Sequence, residues 1–340
     1  MTKKQTFQKL VVSGITCLFV LLLSWVSQSI APSPLPDSAH PIELYSNQTQ
    51  NDLQQTFAVA IGEAKKSVLL IIYSLTDNTI IESLKNKSIQ GVEVTVICDP
   101  KASRRVERRL GPQVNTVKRF AEGLMHQKIL VIDETLVWIG SANMTTESLR
   151  NHGNLVVGFE SPSLAAAIKS KAHGMEADDD SIVLHQETVL GGQQVELWFL
   201  PDDTQAVNRI KQLLRAAQKS IKVAMFTWTR YDLAQEVLNA AKRGVRVEAV
   251  IDRQSGYGAS AKVVEILQKG GLPVRLSTGS ALLHHKFAII DDTILINGSA
   301  NWTKAAFTQN DDCFIILHGI TDEQKSLLDD LWSVVAHESR

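Results

Sequence analysis

The stretch LHHKFAIIDDTILINGSANWT, from Leu283 to Thr303, repeats a pattern that occurs earlier as MHQKILVIDETLVWIGSANMT, from Met125 to Thr145. Ten of the 21 paired positions are identical, and they include His, Lys, Asp, Gly, Ser and Asn. The two copies are 158 residues apart. A spacing of that length indicates a duplicated domain rather than a short solenoid repeat.

The similarity between the two parts of the chain extends beyond this motif. IELYS at Ile42 aligns with VELWF at Val195, and GVEVTVICDP at Gly91 aligns with GVRVEAVIDR at Gly244. These pairs are 153 residues apart, so the rise of the offset to 158 at the motif indicates about five inserted residues. The segment RQSGYGAS, residues 253–260, has the Gly and Ser content of a surface loop and is the simplest place for them.

Short apolar runs alternate with helical segments in both parts of the chain. Residues 67–75 predict a buried strand, residues 78–88 predict a helix, and LAQEVLNAAKRG predicts the matching helix, which ends at Gly244. This order predicts an α/β fold of two similar layered α/β domains from an internal duplication. We expect them over residues 40–190 and 191–340, packed with pseudo-twofold symmetry around one shared active-site cleft.

The N-terminus has the layout of a targeting segment. Lys3, Lys4 and Lys9 precede an apolar run from Leu10 to about Val26, and SQSIAPSPLP follows. As a helix the run would be roughly 25 Å long, slightly shorter than a membrane core. Residues 1–31 are therefore expected to be a signal peptide or an N-terminal membrane anchor, so that the protein is exported (secreted or periplasmic) or anchored to a membrane.

Composition sets broad limits on function. The 340 residues are 44% hydrophobic and carry a net charge of −1, which indicates a folded protein without a general basic field. The segment from Lys101 to Arg119 is an exception, since it holds seven cations and one acid. It could bind a nucleic-acid backbone or an anionic lipid surface, or simply be a solvated helix face. The three cysteines, Cys17, Cys98 and Cys313, have neither metal-ligand spacing nor a disulfide pattern.

The repeated motif has the residue types of an anion site. His126 and Lys128 have the same parity and share one face of a strand, while Ser141 and Asn143 stand close to a predicted helix start. Lysine is a poor metal ligand, but with serine and asparagine it suits a phosphate. If two such sets meet across a cleft, one histidine can attack phosphorus while the other protonates the leaving oxygen, without a metal or cofactor.

The spacing His-x-Lys-x4-Asp-x6-Gly-Ser-x-Asn, present in full in both copies, resembles the signature of the phospholipase D superfamily. The resemblance implies a metal-independent phosphodiesterase or phosphatidyl transferase that works through a phosphohistidine. It also implies roles for ten residues: His126 as nucleophile and His284 as general acid, Lys128, Lys286, Asn143 and Asn301 on the phosphate, Ser141 and Ser299 lining the site, and Asp133 and Asp291 supporting the histidines. Because the copies are nearly symmetric, the residues alone leave open which histidine attacks.

One feature departs from the family pattern. An acidic residue often follows the motif and bonds the histidine, and the second half offers NDD from Asn310 to Asp312. The first half has NHGN, from Asn151 to Asn154, without an acid. The two histidines are therefore expected to differ in basicity. Trp302, which follows Asn301 directly, is expected to face the cleft.

Three functions fit these observations. The first is hydrolysis of glycerophospholipid head groups, with membrane contact. The second is metal-independent cleavage of single-stranded nucleic acid, because the second motif copy looks like the small nuclease and mitochondrial branch of the superfamily. The third is phosphatidyl transfer of the cardiolipin synthase kind. We expect no cofactor, no metal and no obligate protein partner, so that the protein acts as a monomer.

Overall fold

The computed structural model describes residues 33–49, 51–177 and 185–340. The predicted signal peptide or anchor at residues 1–31 lies outside these residues. Residues 34–340 form one compact unit. Within the described ranges, no helix combines the length and the apolar character needed to cross a membrane.

The first half is built on a seven-stranded sheet with the order β1-β7-β6-β5-β2-β3-β4. Its strands are β1 (Ile42–Ser46), β2 (Ser67–Ile72), β3 (Glu93–Cys98), β4 (Asn115–Lys118), β5 (Lys128–Ile132), β6 (Leu136–Gly140) and β7 (Leu155–Glu160). Its helices are α1 (Leu53–Glu63), α2 (Asn78–Ile89), α3 (Val106–Leu110), α4 (Thr146–Arg150) and α5 (Pro162–Ala177). β2, β3 and β4 are parallel, and the other pairs are antiparallel.

The second half repeats this topology in an eight-stranded sheet with the order β12-β11-β10-β13-β14-β15-β9-β8. Its strands are β8 (Gln186–Leu190), β9 (Gln193–Leu200), β10 (Ser220–Met225), β11 (Arg246–Ile251), β12 (Val274–Leu276), β13 (Lys286–Ile290), β14 (Ile294–Gly298) and β15 (Asp312–His318). Its helices are α6 (Ala206–Ala216), α7 (Tyr231–Lys242), α8 (Arg253–Tyr257), α9 (Ala261–Lys269), α10 (Lys304–Thr308) and α11 (Asp322–His337). Two sheets of equivalent strand order confirm the predicted class of two similar α/β domains.

The predicted boundary between residues 190 and 191 falls inside a hairpin. β8 pairs with β9 through five residues, and the turn between them is Gly191-Gly192. Because its backbone hydrogen bonds go to β9, β8 belongs to the second sheet. The second half therefore already includes Gln186, and within the described ranges β8 has no counterpart in the first sheet.

Three apolar clusters hold the unit together. One lies between the outer face of the first sheet and helices α1 and α2, and another lies between the outer face of the second sheet and helices α6, α7 and α9. The third combines residues of both inner faces, such as Ile71 and Phe287, with helices α5 and α11. The two halves thus share one core, which fixes the motif of one half against the motif of the other.

Most of the additional residues of the second half lie between Asp252 and Ser260. In the first half the hydroxyl of Ser103 accepts the backbone N–H of Leu75, and in the second half Ser260 accepts that of Trp228. Leu75 and Trp228 are 153 residues apart, whereas Ser103 and Ser260 are 157 apart. Four extra residues therefore enter before Ser260, within the segment that the sequence indicates.

Candidate active site

The two motif histidines lie where the halves meet. The backbone N–H of His126 donates to the carbonyl of Asp311, from the second half, at 2.8 Å. The reciprocal contact joins the N–H of Gly153, from the first half, to the carbonyl of Leu282 at 2.9 Å, two residues before His284. Each histidine is therefore positioned by backbone from the other half, and the predicted single cleft follows from this exchange.

The side chains of the two histidines are also oriented across the interface. Nδ1 of His126 lies 2.8 Å from Oδ1 of Asp312, and Nδ1 of His284 lies 3.0 Å from Oδ1 of Asn154. Asp312 and Asn154 are 158 residues apart, so they occupy equivalent positions. The departure from the family pattern in the first half thus places an amide where the second half has a carboxylate.

The tautomers of both rings follow from these partners. An ionised carboxylate only accepts hydrogen bonds, so Nδ1 of His126 must donate to Asp312. The amide nitrogen of Asn154 donates to the carbonyls of Ser148 and His152, which leaves its oxygen to accept from Nδ1 of His284. In both neutral rings Nε2 therefore keeps its lone pair.

The two motif serines hold the orienting groups rather than the substrate. The hydroxyl of Ser141 donates to Oδ1 of Asn154 at 2.8 Å, and that of Ser299 donates to Oδ1 of Asp312 at 2.6 Å. Both serines are fully buried. The expectation that they line the phosphate site is therefore corrected: each positions the residue that orients the histidine of the other half.

The motif glycines allow this close packing. A Cβ at Gly140 would lie 2.4 Å from the carbonyl oxygen of Leu155, and a Cβ at Gly298 would lie 2.4 Å from that of Cys313. Since no side chain tolerates such distances from backbone, the last residue of β6 and of β14 must be glycine. The glycine brings the following serine within reach of the neighbouring strand.

The motif lysines are buried cations beside aromatic rings. Nζ of Lys128 lies 5.2 Å from the ring centre of Tyr73, and Nζ of Lys286 lies 4.9 Å from that of Phe226. Burial lowers the pKa of Lys128 to about 7, and burial together with Lys128 holds the pKa of Lys286 well below its ordinary value. The positive charges of the two lysines are only partly offset by nearby carboxylates, which favours the binding of an anion.

Burial lowers the pKa of both histidines, but by different balances. For His126, burial and Lys128 lower the pKa while Asp312 raises it. For His284, burial holds the pKa well below 6.5, and the charges of Lys286 and Lys128 lower it further. Asp312 itself would have a raised pKa from burial, but His126, Lys128 and Ser299 lower it overall, so this carboxyl is ionised.

The motif asparagines have free amide donors. Oδ1 of Asn301 accepts the backbone N–H of Thr227, and Oδ1 of Asn143 is buried without a hydrogen-bond partner. Among the residues that the structure describes, no hydrogen bond engages Nδ2 of either side chain. Both amide nitrogens are therefore available as donors, and their binding of a phosphate stays a prediction.

The motif aspartates lie at the far end of the hairpins. Asp133 and Asp291 have φ of 52° and 54° and begin two-residue turns of the left-handed type. The carboxylate of Asp133 accepts the backbone N–H groups of Lys65, Lys66 and Ser67, and Asp291 does the same for residues 218–220. By strand rise, Asp133 is about 20 Å from His126, so the expectation that these aspartates support the histidines is wrong.

Two further expectations change. Trp302 is buried and packs edge to face on Trp228, with ring centres 4.7 Å apart, so it belongs to the core and does not face the cleft. His152, to which the sequence analysis assigns no role, has its ring centre 6.3 Å from that of His284. The signal for it was its position two residues before Asn154, equivalent to Asn310 in the second half.

No group of three or more His, Cys, Asp or Glu side chains is arranged to hold a metal ion in the described ranges. The donors that meet at the cleft are imidazoles, ammonium groups and amides. This set suits an anion such as a phosphodiester.

The geometry defines a two-motif site in a duplicated α/β architecture, and comparison with known proteins assigns the chain to a family. The family model described as "Cardiolipin synthase, PLD-like domain" matches residues 58–175 and 210–332. Because these matches cover more than half of the chain, the protein belongs to this family and, with it, to the phospholipase D superfamily. The resemblance predicted from the motifs is confirmed, and it agrees with the expectation of a phosphodiesterase.

Individual relatives differ in what they cover. The mitochondrial cardiolipin hydrolase of Xenopus tropicalis is 37% identical over 117 residues, which are 34% of this chain and 55% of that protein. Cardiolipin synthase B of Salmonella typhi is 24% identical over 253 residues, 68% of this chain and 60% of that protein. The chain thus spans about half the length of the curated relatives it matches.

A solved structure extends the likeness of fold to nearly the whole chain. The phosphatidylserine synthase of Haemophilus influenzae Rd KW20 matches with a TM-score of 0.69 at 14% identity, and the match covers 92% of this chain and 89% of that one. At this identity the likeness concerns the fold alone.

Proposed function

We propose that this protein is a metal-independent phosphodiesterase of the phospholipase D type, which hydrolyses glycerophospholipid head groups through a phosphohistidine on His126. The observation that carries the proposal is the crosswise pairing of His126 with Asp312 and of His284 with Asn154. It gives one phosphate two histidines of different electrostatic support.

In the first step, Nε2 of His126 attacks phosphorus, and the bond from phosphorus to the head-group oxygen breaks. The attacking ring becomes a cation because it forms a bond to phosphorus while Nδ1 keeps its proton, and the ionised carboxylate of Asp312 stabilises that cation at 2.8 Å. His284 has only an amide oxygen at this position, so it is the less suitable nucleophile. The asymmetry favours His126 in the role that the resemblance implies.

His284 supplies the proton in the first step and takes one in the second. The charge of the substrate offsets the two lysines, which raises the pKa of His284 and allows its Nε2 to carry a proton to the leaving oxygen. Neutral His284 then removes a proton from water, the water oxygen attacks phosphorus, and the bond to Nε2 of His126 breaks. Both rings return to their starting state.

Exposed apolar residues in the loop before His126 favour a lipid substrate. Phe120 is 75% exposed and Leu124 is 40% exposed, and both lie in the loop that leads directly to His126. Arg104 and Arg105 are exposed on the neighbouring turn, and Lys118 joins the two segments by donating to the carbonyl of Ser103 at 2.7 Å. Apolar side chains next to cations suit an anionic membrane surface. The relatives named for cardiolipin hydrolysis and synthesis point the same way.

Not all of the basic segment is available for binding. Arg119 pairs with the buried carboxylate of Asp311 at 3.1 Å, and Lys118 pairs with Glu107 at 3.1 Å. The side chains of Lys101, Arg104 and Arg105 form no ion pair among the described residues, so these three carry the proposed lipid contact. Export, or anchoring through residues 1–31, and action as a monomer remain predictions.

The test offers the full-length protein vesicles of phosphatidylcholine and, separately, labelled single-stranded DNA, both with EDTA. We expect choline release, and with ethanol the product should become phosphatidylethanol because the alcohol captures the phosphohistidine. His126→Ala should lower the rate by about 10²-fold or more. Strand cleavage without lipid turnover would overturn the lipid assignment, and loss of activity in EDTA that a divalent cation restores would overturn metal independence.

A further inference from the structure

The additional residues of the second half build a recess beside the site. A cavity of about 310 Å³ is lined by residues that include Asp252, Arg253, Gln254, Tyr257, Ser277 and Leu282. A second lobe of about 260 Å³ shares Arg253, Tyr257 and Ser277 and extends to Arg340. Arg253 and Tyr257 both lie in the segment 253–260, where the second half is four residues longer than the first. We call these two lobes together the Arg253 recess.

The Arg253 recess carries an unengaged positive charge and an aromatic ring. Arg253 is exposed, and its guanidinium has no hydrogen bond or ion pair with any residue that the structure describes. The ring of Tyr257 is 75% exposed although it is large and mostly apolar. A free guanidinium beside an open aromatic ring is an arrangement that binds phosphate groups attached to organic substituents.

The one acid in the lining is already engaged. Asp252 is 2% exposed, and its carboxylate accepts the backbone N–H groups of Ser255 and Leu283, both at 3.1 Å. These bonds turn the carboxylate into the protein, and among the described residues no ion pair joins it to Arg253. The same bonds locate the recess, since Leu283 immediately precedes His284.

The first half is built differently at the equivalent place. The chain passes from Asp99 to Ser103 in a turn that is four residues shorter, and Asp99 accepts the N–H groups of Lys101 and Ala102, each at 2.9 Å. Proline occupies position 100, which is equivalent to Arg253 at the offset of 153. The recess is therefore a property of one side of the cleft only.

We propose that the Arg253 recess binds a second phosphate group of the substrate while the first lies between the two motif histidines. The proposal rests on the proposed function and adds to it a preference for substrates with two phosphates close together. A lipid in which glycerol joins two phosphatidyl groups has this chemistry, and so does an oligonucleotide with successive phosphates. The guanidinium of Arg253 would hold the second phosphate, and Tyr257 would cover the group that links the two.

The test compares substrates with one and with two phosphates. Initial rates are measured for cardiolipin against phosphatidylglycerol and for the dinucleotide pTpT against TpT, with bis(p-nitrophenyl) phosphate as a soluble one-phosphate standard. The full-length wild type is compared with Arg253→Gln. Of the two pairs, the lipids and the dinucleotides, one will contain substrates that the enzyme turns over. On the two-phosphate member of that pair we expect Arg253→Gln to have a kcat/KM about tenfold lower than the wild type. This loss corresponds to one charge-assisted hydrogen bond. The rates on both one-phosphate members should stay within about twofold.

Arg246→Gln is the matched control. Arg246 is an exposed arginine at the first residue of β11, whereas Arg253 lies just beyond the last, so the charge change is the same at opposite ends of one strand. This variant should behave as wild type on every substrate. Equal losses by Arg253→Gln on one-phosphate and two-phosphate substrates, or no loss on either, would overturn the recess.

A binding measurement separates this proposal from the proposed function. Calorimetric titration of the full-length protein with glycerol 1,3-bisphosphate and with glycerol 3-phosphate requires no turnover. For the wild type we expect the bisphosphate to bind about tenfold more tightly than the monophosphate. For Arg253→Gln we expect the two ligands to bind with equal affinity. If the wild type bound the bisphosphate more tightly but turned over no substrate, the recess would be supported and the proposed phosphodiesterase activity would be overturned. If the wild type turned over substrate but bound both ligands equally, the activity would be supported and the recess would be overturned.

Discussion

The two halves of this molecule share strand order, motif and burial, yet they treat their histidines differently. The first-half His126 faces a carboxylate from the second half, and the second-half His284 faces an amide from the first. Both residues are 7% exposed, so access does not distinguish them. The difference shows how a duplicated site can divide the labour: one ring is supported as a cation through the intermediate, while the other carries the proton.

The largest effect is expected when the carboxylate is removed. Asp312→Asn makes the two halves alike and leaves the phosphohistidine cation without a counter-charge, so kcat/KM should fall by about 10²-fold or more. The measurement is turnover of bis(p-nitrophenyl) phosphate, a substrate that needs little help with its leaving group. The control is Asp311→Asn, since Asp311 pairs with Arg119 and does not touch either histidine ring. A loss in the control as large as in Asp312→Asn would contradict the role given to Asp312.

The entrance loops provide the next comparison. Phe120 in the first half corresponds, at the offset of 158, to Thr278 in the second. Phe120→Thr gives both loops the polar form and should lower the rate on vesicles by about tenfold, because one buried aromatic ring contributes on the order of 1.5–3 kcal/mol. The rate on the soluble substrate should not change.

Ile89→Thr is the control for that experiment. Ile89 is 63% exposed at the last residue of α2, just before β3 begins, which is the edge of the first sheet away from the histidines. It should leave both rates unchanged. If Phe120→Thr lowered the rates on the soluble and the vesicle substrates equally, Phe120 would affect the reaction itself. The proposed contact of Phe120 with the lipid surface would then be wrong.

Giving the first half its own carboxylate should move the pH profile. Asn154 also donates to two carbonyls, so the fair exchange is the double variant His152→Asn with Asn154→Asp, which copies Asn310 and Asp312 of the second half. A carboxylate beside His284 raises the pKa of that ring, and His284 must be protonated to act as the acid. The basic limb of the kcat/KM profile should therefore move to higher pH by about one unit.

His152→Asn alone is the control and should leave the basic limb in place. A shift to lower pH in the double variant, or a movement of the acidic limb instead, would mean that His284 is not the acid. Either result would exchange the roles of the two halves.

The smallest catalytic effect is expected at the aspartates of the two hairpin turns. Asp133→Ala removes three backbone hydrogen bonds far from the histidines and should cost about 2 kcal/mol of the free energy of unfolding, with kcat/KM of the folded protein unchanged. Burial would raise the pKa of Asp133, but the backbone N–H groups lower it below 3.8 overall. Its stabilisation is therefore present above pH 3.8 and is lost as the pH falls through the folded-state pKa.

Thermal unfolding at several pH values checks this, and Asp291→Ala should give the same result in the second half. The stability difference between each variant and the wild type should shrink in acid. A catalytic loss without destabilisation would restore these aspartates to the active site.

Much of the fold was readable from the sequence because it depends on local patterns. Apolar runs, helix ends and the internal alignment give the strands, the helices and the duplication. The position of the extra residues follows from the change of offset near Tyr257. The boundary was less certain, since nothing in the residues of β8 tells which sheet will accept it.

The residue types of the site could be predicted from the sequence, but their hydrogen-bond partners could not. His126 and Lys128 could be paired by strand parity, whereas the partner of His126 comes from 186 residues away. Membership of the motif also does not reveal what a residue does. Asp133 has the residue type of a catalytic acid, but its carboxylate accepts backbone hydrogen bonds and stabilises a turn. Such distinctions depend on which backbone groups lie within reach, and only the folded chain decides that.

The measurement that tests the central claim most directly is the location of the covalent phosphate. His284→Ala would be given a phosphatidyl ester of p-nitrophenol, whose leaving group needs no proton, so that the intermediate forms and its hydrolysis is slowed. After a basic quench, mass spectrometry of the peptides should find the phosphatidyl group on the peptide that contains His126. With His126→Ala under the same conditions we expect no labelled peptide, and a label on the peptide that contains His284 would contradict the account.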